Sequence, residues 1–314
     1  MPMASPHSTD TFYAHGKLLL TGEYAVLDGA RGLAVPTRFG QHLQAGYSPE
    51  AGVLHWESFD YSLQLWFEAA FSLQNFSIRN TSDQAAAETL QHILRVVRRE
   101  QPTFLRRRQG IQVSTRLEFD RSWGLGSSST LVSCVSRWAG VDAYSLQEAI
   151  FGGSGYDVAC ATAETPIFFQ LKPDFRLVRP APFAPAYADH LWFVHLGRKQ
   201  NSRLGISTWR KAGAPPQDLI SRISEISKSL CNAETAGECA ELIHEHEQLI
   251  GSHLGMQRAR DLYFADFPGE IKSLGAWGGD FVLVVCPWES EDETIAYFQN
   301  RGFPDVVPWH EMVL

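Results

Sequence analysis

The chain has 314 residues, of which 44% are hydrophobic and 20% charged, the balance of an ordinary soluble globular protein with length enough for two domains. Its net charge of −8 argues against a sequence-independent grip on nucleic acid, which needs a basic face to displace counterions. No apolar run approaches the length that spans a bilayer, and Met1-Pro2-Met3-Ala4-Ser5-Pro6 lacks the regions of a secretion signal, so a cytoplasmic location with no membrane partner is expected. The five cysteines (Cys134, Cys160, Cys231, Cys239, Cys286) show no metal-ligand spacing and fit reduced, mostly buried thiols.

After a polar leader, the segment from Thr11 to Gly29 predicts a strand, a turn and a short connecting helix. The run Leu18-Leu19-Leu20 lies between glycines, which suits a buried strand with something bulky close to its ends. Lys17 and Glu23 bracket that run, and by themselves they read as surface charges. From Gly32 to Phe119 the pattern is strand-rich, with alternation over Leu63–Phe67 and Ile111–Thr115 and an amphipathic helix from about Ala85 to Glu100. Arg95, Arg98, Arg99 and Arg106 to Arg108 form the solvated face and end of that helix.

Trp123-Gly124-Leu125-Gly126-Ser127-Ser128-Ser129-Thr130 then leads into the small-residue helix Leu131–Ser136. Glycine-freed backbone N–H groups and the positive end of a helix favour an anion, and the hydroxyls can reach a phosphate-bound metal; alone, the same cluster reads equally well as a simple N-cap. Ser145–Phe151 predicts a short helix ending at Gly152-Gly153, and Ser154-Gly155-Tyr156-Asp157 a Gly-led turn with Asp157 at the next helix start, where a cap or dipole partner is also common. The proline-rich Arg179–Pro185 marks a domain boundary, giving domains over 11–182 and 186–314. Beyond it come a strand over Leu191–Leu196 and two helices, about Gln217–Cys231 and Ala236–Gly251, expected to pair as a hairpin. The second contains His244-Glu245-His246-Glu247, whose spacing is poor for one metal because residues two apart on a helix point apart. The last glycine element, Lys272-Ser273-Leu274-Gly275-Ala276-Trp277-Gly278-Gly279-Asp280, runs into the apolar strand Phe281–Val285.

A Gly-Lys strand followed by Gly-Glu-Tyr, a Gly-Leu-Gly-Ser-Ser turn and a late Gly-Ala-x-Gly-Gly turn, in that order from about Phe12 to Val285, resemble the GHMP kinases, the superfamily of galactokinase, homoserine kinase, mevalonate kinase and phosphomevalonate kinase. The resemblance implies an α+β fold of two domains, the N-terminal one like domain 2 of ribosomal protein S5 and the C-terminal one ferredoxin-like. It implies ATP at Gly124, Leu125, Gly126, Ser127, Ser128 and Ser129, with magnesium at Ser128 and Glu148. It implies Asp157 as the residue that accepts the acceptor-hydroxyl proton, with Lys17 contacting the acceptor. The acceptor site it implies is drawn from Lys17, Glu23, Tyr24, Ser154, Gly155, Gly275, Ala276, Gly278 and Gly279.

The chain departs from the family pattern at His15, where Pro precedes Gly-Lys, and at Trp277, where another glycine is usual. Trp277 would stack on a ligand or fill a gap between domains, and the gap is the favoured reading. Gly22–Leu27 and Gly278-Gly279-Asp280 look like bacterial phosphomevalonate kinases, so the expected acceptor is mevalonate 5-phosphate or mevalonate, with Lys17, Arg198, Lys199 and Arg203 as cations for an acceptor phosphate. The alternatives from other classes are the ATP-dependent decarboxylase of the same pathway and a non-catalytic nucleotide-binding homologue. The oligomeric state is not readable, and a homodimer stays open.

Overall fold

The computed structural model of the chain describes residues 9–106, 109–198, 202–275, 277 and 279–314, with the side chains of residues 202–203 left aside. Its contacts divide it into two compact units. The first takes the chain up to Gly16, then Phe39–Arg121 and Gly126–Thr162; the second takes Lys17–Arg38, Ser122–Leu125 and Ala163–Leu314.

Strands β1 (Asp10–Thr21) and β2 (Arg31–Ser48) pair with each other and contribute to both units. The first unit continues with β3 (Val53–Phe59), β4 (Leu65–Ser72), β5 (Ile78–Thr81), helix α1 (Gln84–Glu100), β6 (Gly110–Leu117), α2 (Ser127–Ala139), α3 (Ala143–Ile150) and α4 (Tyr156–Ala161). Its strands run in the order β5-β4-β3-β6-β2, antiparallel except for the β3–β6 pair. Alternation sets the faces: Ile111, Val113, Thr115 and Leu117 of β6 are buried while Gln112 is exposed. The buried face packs with Leu90, Ile93, Leu94 and Val97 of α1 and Val132 and Val135 of α2 into one core. Asp83 caps α1 by accepting the Ala86 N–H at 3.1 Å, a bond whose loss typically costs about 1 kcal/mol.

The expected strand over Leu63–Phe67 begins later than the alternation suggests. The Asp60 carboxylate accepts the N–H groups of Ser62 and Gln64, each at 2.9 Å, so Leu63 sits in a turn at φ 63° and β4 starts at Leu65. Nor is the arginine group merely a solvated face. The Arg98 guanidinium donates to the carbonyls of Leu73 and Phe104 and lies 3.8 Å from the centre of the Phe76 ring, tying down the end of α1. Arg107 and Arg108 fall outside the described residues.

The second unit adds β7 (Ile167–Leu171), β8 (Arg176–Pro180), β9 (Leu191–His195), α5 (Ser202–Lys211), α6 (Gln217–Ser229), α7 (Ala236–Leu254), α8 (Ala259–Tyr263), β10 (Glu270–Leu274), β11 (Phe281–Val285), α9 (Glu291–Gln299), β12 (Val306–Pro308) and α10 (Trp309–Met312). The hairpin β7–β8 pairs with Arg31–Ala34 of β2, and β10-β11-β9-β12 form an antiparallel sheet. Every residue of β9, β10 and β11 is buried, the mark of a sheet covered on both faces. Val194, Val282, Val284 and Ile271 pack with Phe264, Phe267 and Phe298. Helices α6 and α7 pair as expected, and α7 also packs on β10. The stretch Lys272–Leu274, read from the sequence as part of a glycine turn, is strand β10. All five cysteines are free.

Candidate functional site

The first unit presents the start of α2. Gly124 and Gly126 both adopt left-handed backbone, φ 65° and 92°, which only glycine takes without strain. With Gly126 as its N-cap, the 13-residue helix α2 has no capping side chain for its first-turn N–H groups. Three of the four hydroxyls that follow differ in their commitments. Ser129 Oγ donates to the Gly126 carbonyl at 2.8 Å, and Thr130 Oγ1 donates to Gln41 Oε1 at 2.6 Å, so both point into the protein. Ser128 is exposed. Helices α3 and α4 pack against α2 and against each other, and they carry an exposed Glu148 and a half-buried Asp157 respectively. Ser154 and Gly155, just before α4, are buried.

In the second unit Lys17 is buried near the end of β1, where its backbone N–H donates to the Leu125 carbonyl at 3.0 Å and its ammonium to the Gly124 carbonyl at 3.1 Å. The Asp280 carboxylate stands over the same turn: a Cβ added to Gly124 would run into it, and one added to Gly275 would come within 3.2 Å of Asp280 Oδ2. Lys17, Gly124, Leu125, Gly275 and Asp280 are thus drawn together.

Glu23 and Tyr24 are not surface residues. The Glu23 carboxylate, 3% exposed, takes the Lys272 ammonium at 2.5 Å, and Lys272 is 3.4 Å from Glu247 Oε1. Glu247 accepts the N–H and the hydroxyl of Ser273, each at 3.1 Å, while His246 Nε2 accepts the Gly22 N–H at 2.9 Å. Glu23 Oε2 lies 3.3 Å from that same nitrogen, whose lone pair is already taken, and so finds no donor. Burial in this setting pushes the Glu23 carboxyl up to about 7 against the pull of Lys272, and raises Glu247 likewise. Burial first, then the Lys272 charge, hold His246 well below the ordinary imidazole range, so it is neutral.

Tyr24, at φ 55°, accepts the Trp277 N–H on its hydroxyl at 2.6 Å and is pushed up to about 12, chiefly by burial. The Trp277 indole N–H donates to the Gln257 carbonyl at 3.0 Å, and the ring packs with Tyr24, Trp209 and Ile250 in one apolar cluster. Trp277 therefore fills a gap inside the second unit and is not presented to a ligand.

Ala276, Gly278 and Lys199 lie outside the described residues, as does the Arg203 side chain. Arg198 is exposed with its guanidinium 5.0 Å from the centre of the Tyr263 ring, and Gly279 is buried. Sequence reasoning missed Gln41, His246, Glu247 and Lys272; the charged residues inside the glycine motifs and the His-Glu repeat on α7 were the signals available. Among the described residues no group of three or more His, Cys, Asp or Glu side chains could hold a metal by itself, and no helix is long and apolar enough to cross a membrane.

No protein-family model and no curated protein sequence matches the chain. Solved structures do. The mevalonate kinase of L. major in complex with R-mevalonate superposes with a TM-score of 0.70 at 16% identity, over 98% of this chain and 99% of the other. Streptococcus pneumoniae phosphomevalonate kinase in complex with phosphomevalonate and AMPPNP gives 0.66 at 15% identity, over 93% and 95%. The chain has the GHMP kinase fold. Lactococcus lactis galactokinase complexed with galactose is matched at 0.68 and 10% identity, over 98% and 94%, so likeness in the GHMP kinase fold does not choose a branch.

Proposed function

We propose that this protein is an ATP- and magnesium-dependent kinase that phosphorylates mevalonate 5-phosphate or mevalonate in isoprenoid precursor synthesis. The observation that carries the reading is the start of α2, a helix entered through left-handed glycines with no capping side chain on its first turn, which suits a phosphate group. The choice of a mevalonate-pathway acceptor rests on the resemblance of the first and third glycine motifs.

Each half of the chemistry has its residues. Gly124, Leu125, Gly126 and Ser127 to Ser129 would wrap the nucleotide phosphates with backbone N–H groups. Phosphoryl transfer depends on positioning and charge neutralisation more than on covalent chemistry by the protein. Asp157 would accept the proton of the acceptor hydroxyl. Lys17, its ammonium anchored on the Gly124 carbonyl, would orient the acceptor oxygen at the same turn.

The Ser128 hydroxyl and the Glu148 carboxylate are exposed on helices that pack together, and as hard oxygen donors they fit magnesium. The lack, among the described residues, of any self-sufficient acidic cage agrees with an ion held largely by phosphate oxygens. Bound there, magnesium would neutralise charge on the transferring phosphates. A coupled ADP-release screen over mevalonate, mevalonate 5-phosphate, galactose and homoserine tests the reading. ADP release that depends on one of the first two supports it; release only with galactose or homoserine, or accompanied by carbon dioxide, contradicts it.

A further inference from the structure

The run His244-Glu245-His246-Glu247, poorly spaced for a metal, finds another use along α7. Its first two residues face partners of their own, His244 bonding Glu270 and Glu245 bonding Arg222. The next two are fully buried. His246 holds the Gly22 N–H that follows β1, and Glu247 holds the N–H and hydroxyl of Ser273 in β10. Lys272 closes the figure, reaching Glu23 on one side and Glu247 on the other while also donating to the Ser273 carbonyl at 2.9 Å. A second tie, Tyr24 to the Trp277 N–H, lies at the far end of the same two segments.

We propose that Glu23, His246, Glu247 and Lys272 form a positioning clamp that holds the Gly22-Glu23-Tyr24 turn and the Lys272-Ser273 end of β10 as one body, and that through β1 it sets Lys17 for phosphoryl transfer. The last clause rests on the kinase reading. Hydrogen-bonded groups in a dry interior have few alternative partners, so loosening one member leaves the others unsatisfied. The two segments must then loosen together. Glu23 and Lys272 are accordingly positioning residues: each acts on these segments and neither on the acceptor.

Amide hydrogen exchange on the full chain tests this, comparing wild type with Glu23→Gln, Lys272→Met and the double variant. Exchange at the Gly22 and Ser273 amides should rise together by about tenfold or more relative to Phe193 in β9, a strand of the same unit. The double variant should exceed neither single one, because the residues act as a set. A rise at only one of the two amides, a rise matched at Phe193, or additive effects would overturn the clamp. Should Lys272→Met fail to fold, the isosteric Glu23→Gln carries the comparison. With the best acceptor, kcat should fall about tenfold while the ATP Kd changes by less than about twofold. An unchanged kcat in a variant with loosened amides would overturn the link to Lys17. Absence of turnover by the wild type with every alcohol would defeat the kinase reading, and the exchange data would still decide the clamp.

Discussion

Replacing Glu23 with glutamine should change how stability depends on pH, and the sign of the change is fixed by the geometry. The Glu23 carboxyl is raised from 4.5 to about 7 by burial, with Lys272 of β10 pulling it down and Glu247 of α7 pushing it up, while neutral His246 faces it from α7. A raised acid holds its proton longer in the folded state than in the unfolded one. Its contribution to stability is therefore complete below about pH 4.5 and is lost as pH rises through about 7. At roughly 1.4 kcal/mol per pH unit of displacement, the loss between pH 5 and pH 8 is on the order of 2–3 kcal/mol. Glu247 adds a slope of the same sign, and His246, whose proton affinity is lowered, adds the opposite slope below about pH 6.5. Both remain in the variant, so the difference between the two proteins reports Glu23 together with its coupling to Glu247. Urea unfolding at four pH values from 5 to 8 measures it. Wild type should lose on the order of 2–3 kcal/mol relative to Glu23→Gln over that range. Parallel curves, or a relative gain by the wild type as pH rises, would contradict a raised Glu23 carboxyl.

Other outcomes follow from the site. Gly126→Val places a branched side chain at φ 92° against the proposed phosphate position, so the protein should fold with a loss of about 1–3 kcal/mol and bind ATP no longer; unchanged affinity by calorimetry would contradict the placement. Trp277→Ala empties a buried site and should cost about 3–5 kcal/mol in urea unfolding, whereas a loss under about 1 kcal/mol would contradict the gap-filling role. Excess chelator should abolish ADP release, and readdition of magnesium should restore it; full activity without divalent metal would rule out the role given to Ser128 and Glu148.

Much of the fold was legible because local pattern and tertiary environment agree. Phe281–Val285 is apolar throughout and is a strand buried throughout; the helix from Gln84 announces itself by apolar residues three and four apart. Strand β10 was not legible, because Glu270, Lys272 and Ser273 are polar yet buried. Their partners lie far off in sequence, Glu23 being 249 residues from Lys272, and no local rule reports such a distance. The same cause hid Glu23 among surface charges. Leu63 was misread for a different reason, since an Asp two residues before a Ser can close a turn that alternation ignores. In the site, the left-handed glycines before α2 were readable from composition alone. The Thr130–Gln41 bond was not, for it needs the first unit to be folded.

In the kinase proposed above, Asp157 takes the proton of an alcohol as ATP phosphorylates it. Turnover of Asp157→Asn at saturating ATP and acceptor, measured as ADP release with the acceptor the screen identifies, tests this most directly. Turnover should fall by at least about a hundredfold, with ATP binding and melting temperature close to wild type, because the variant keeps the shape of the side chain and removes the base. Wild-type turnover by Asp157→Asn would contradict it, leaving Asp157 as no more than a residue in the first turn of α4.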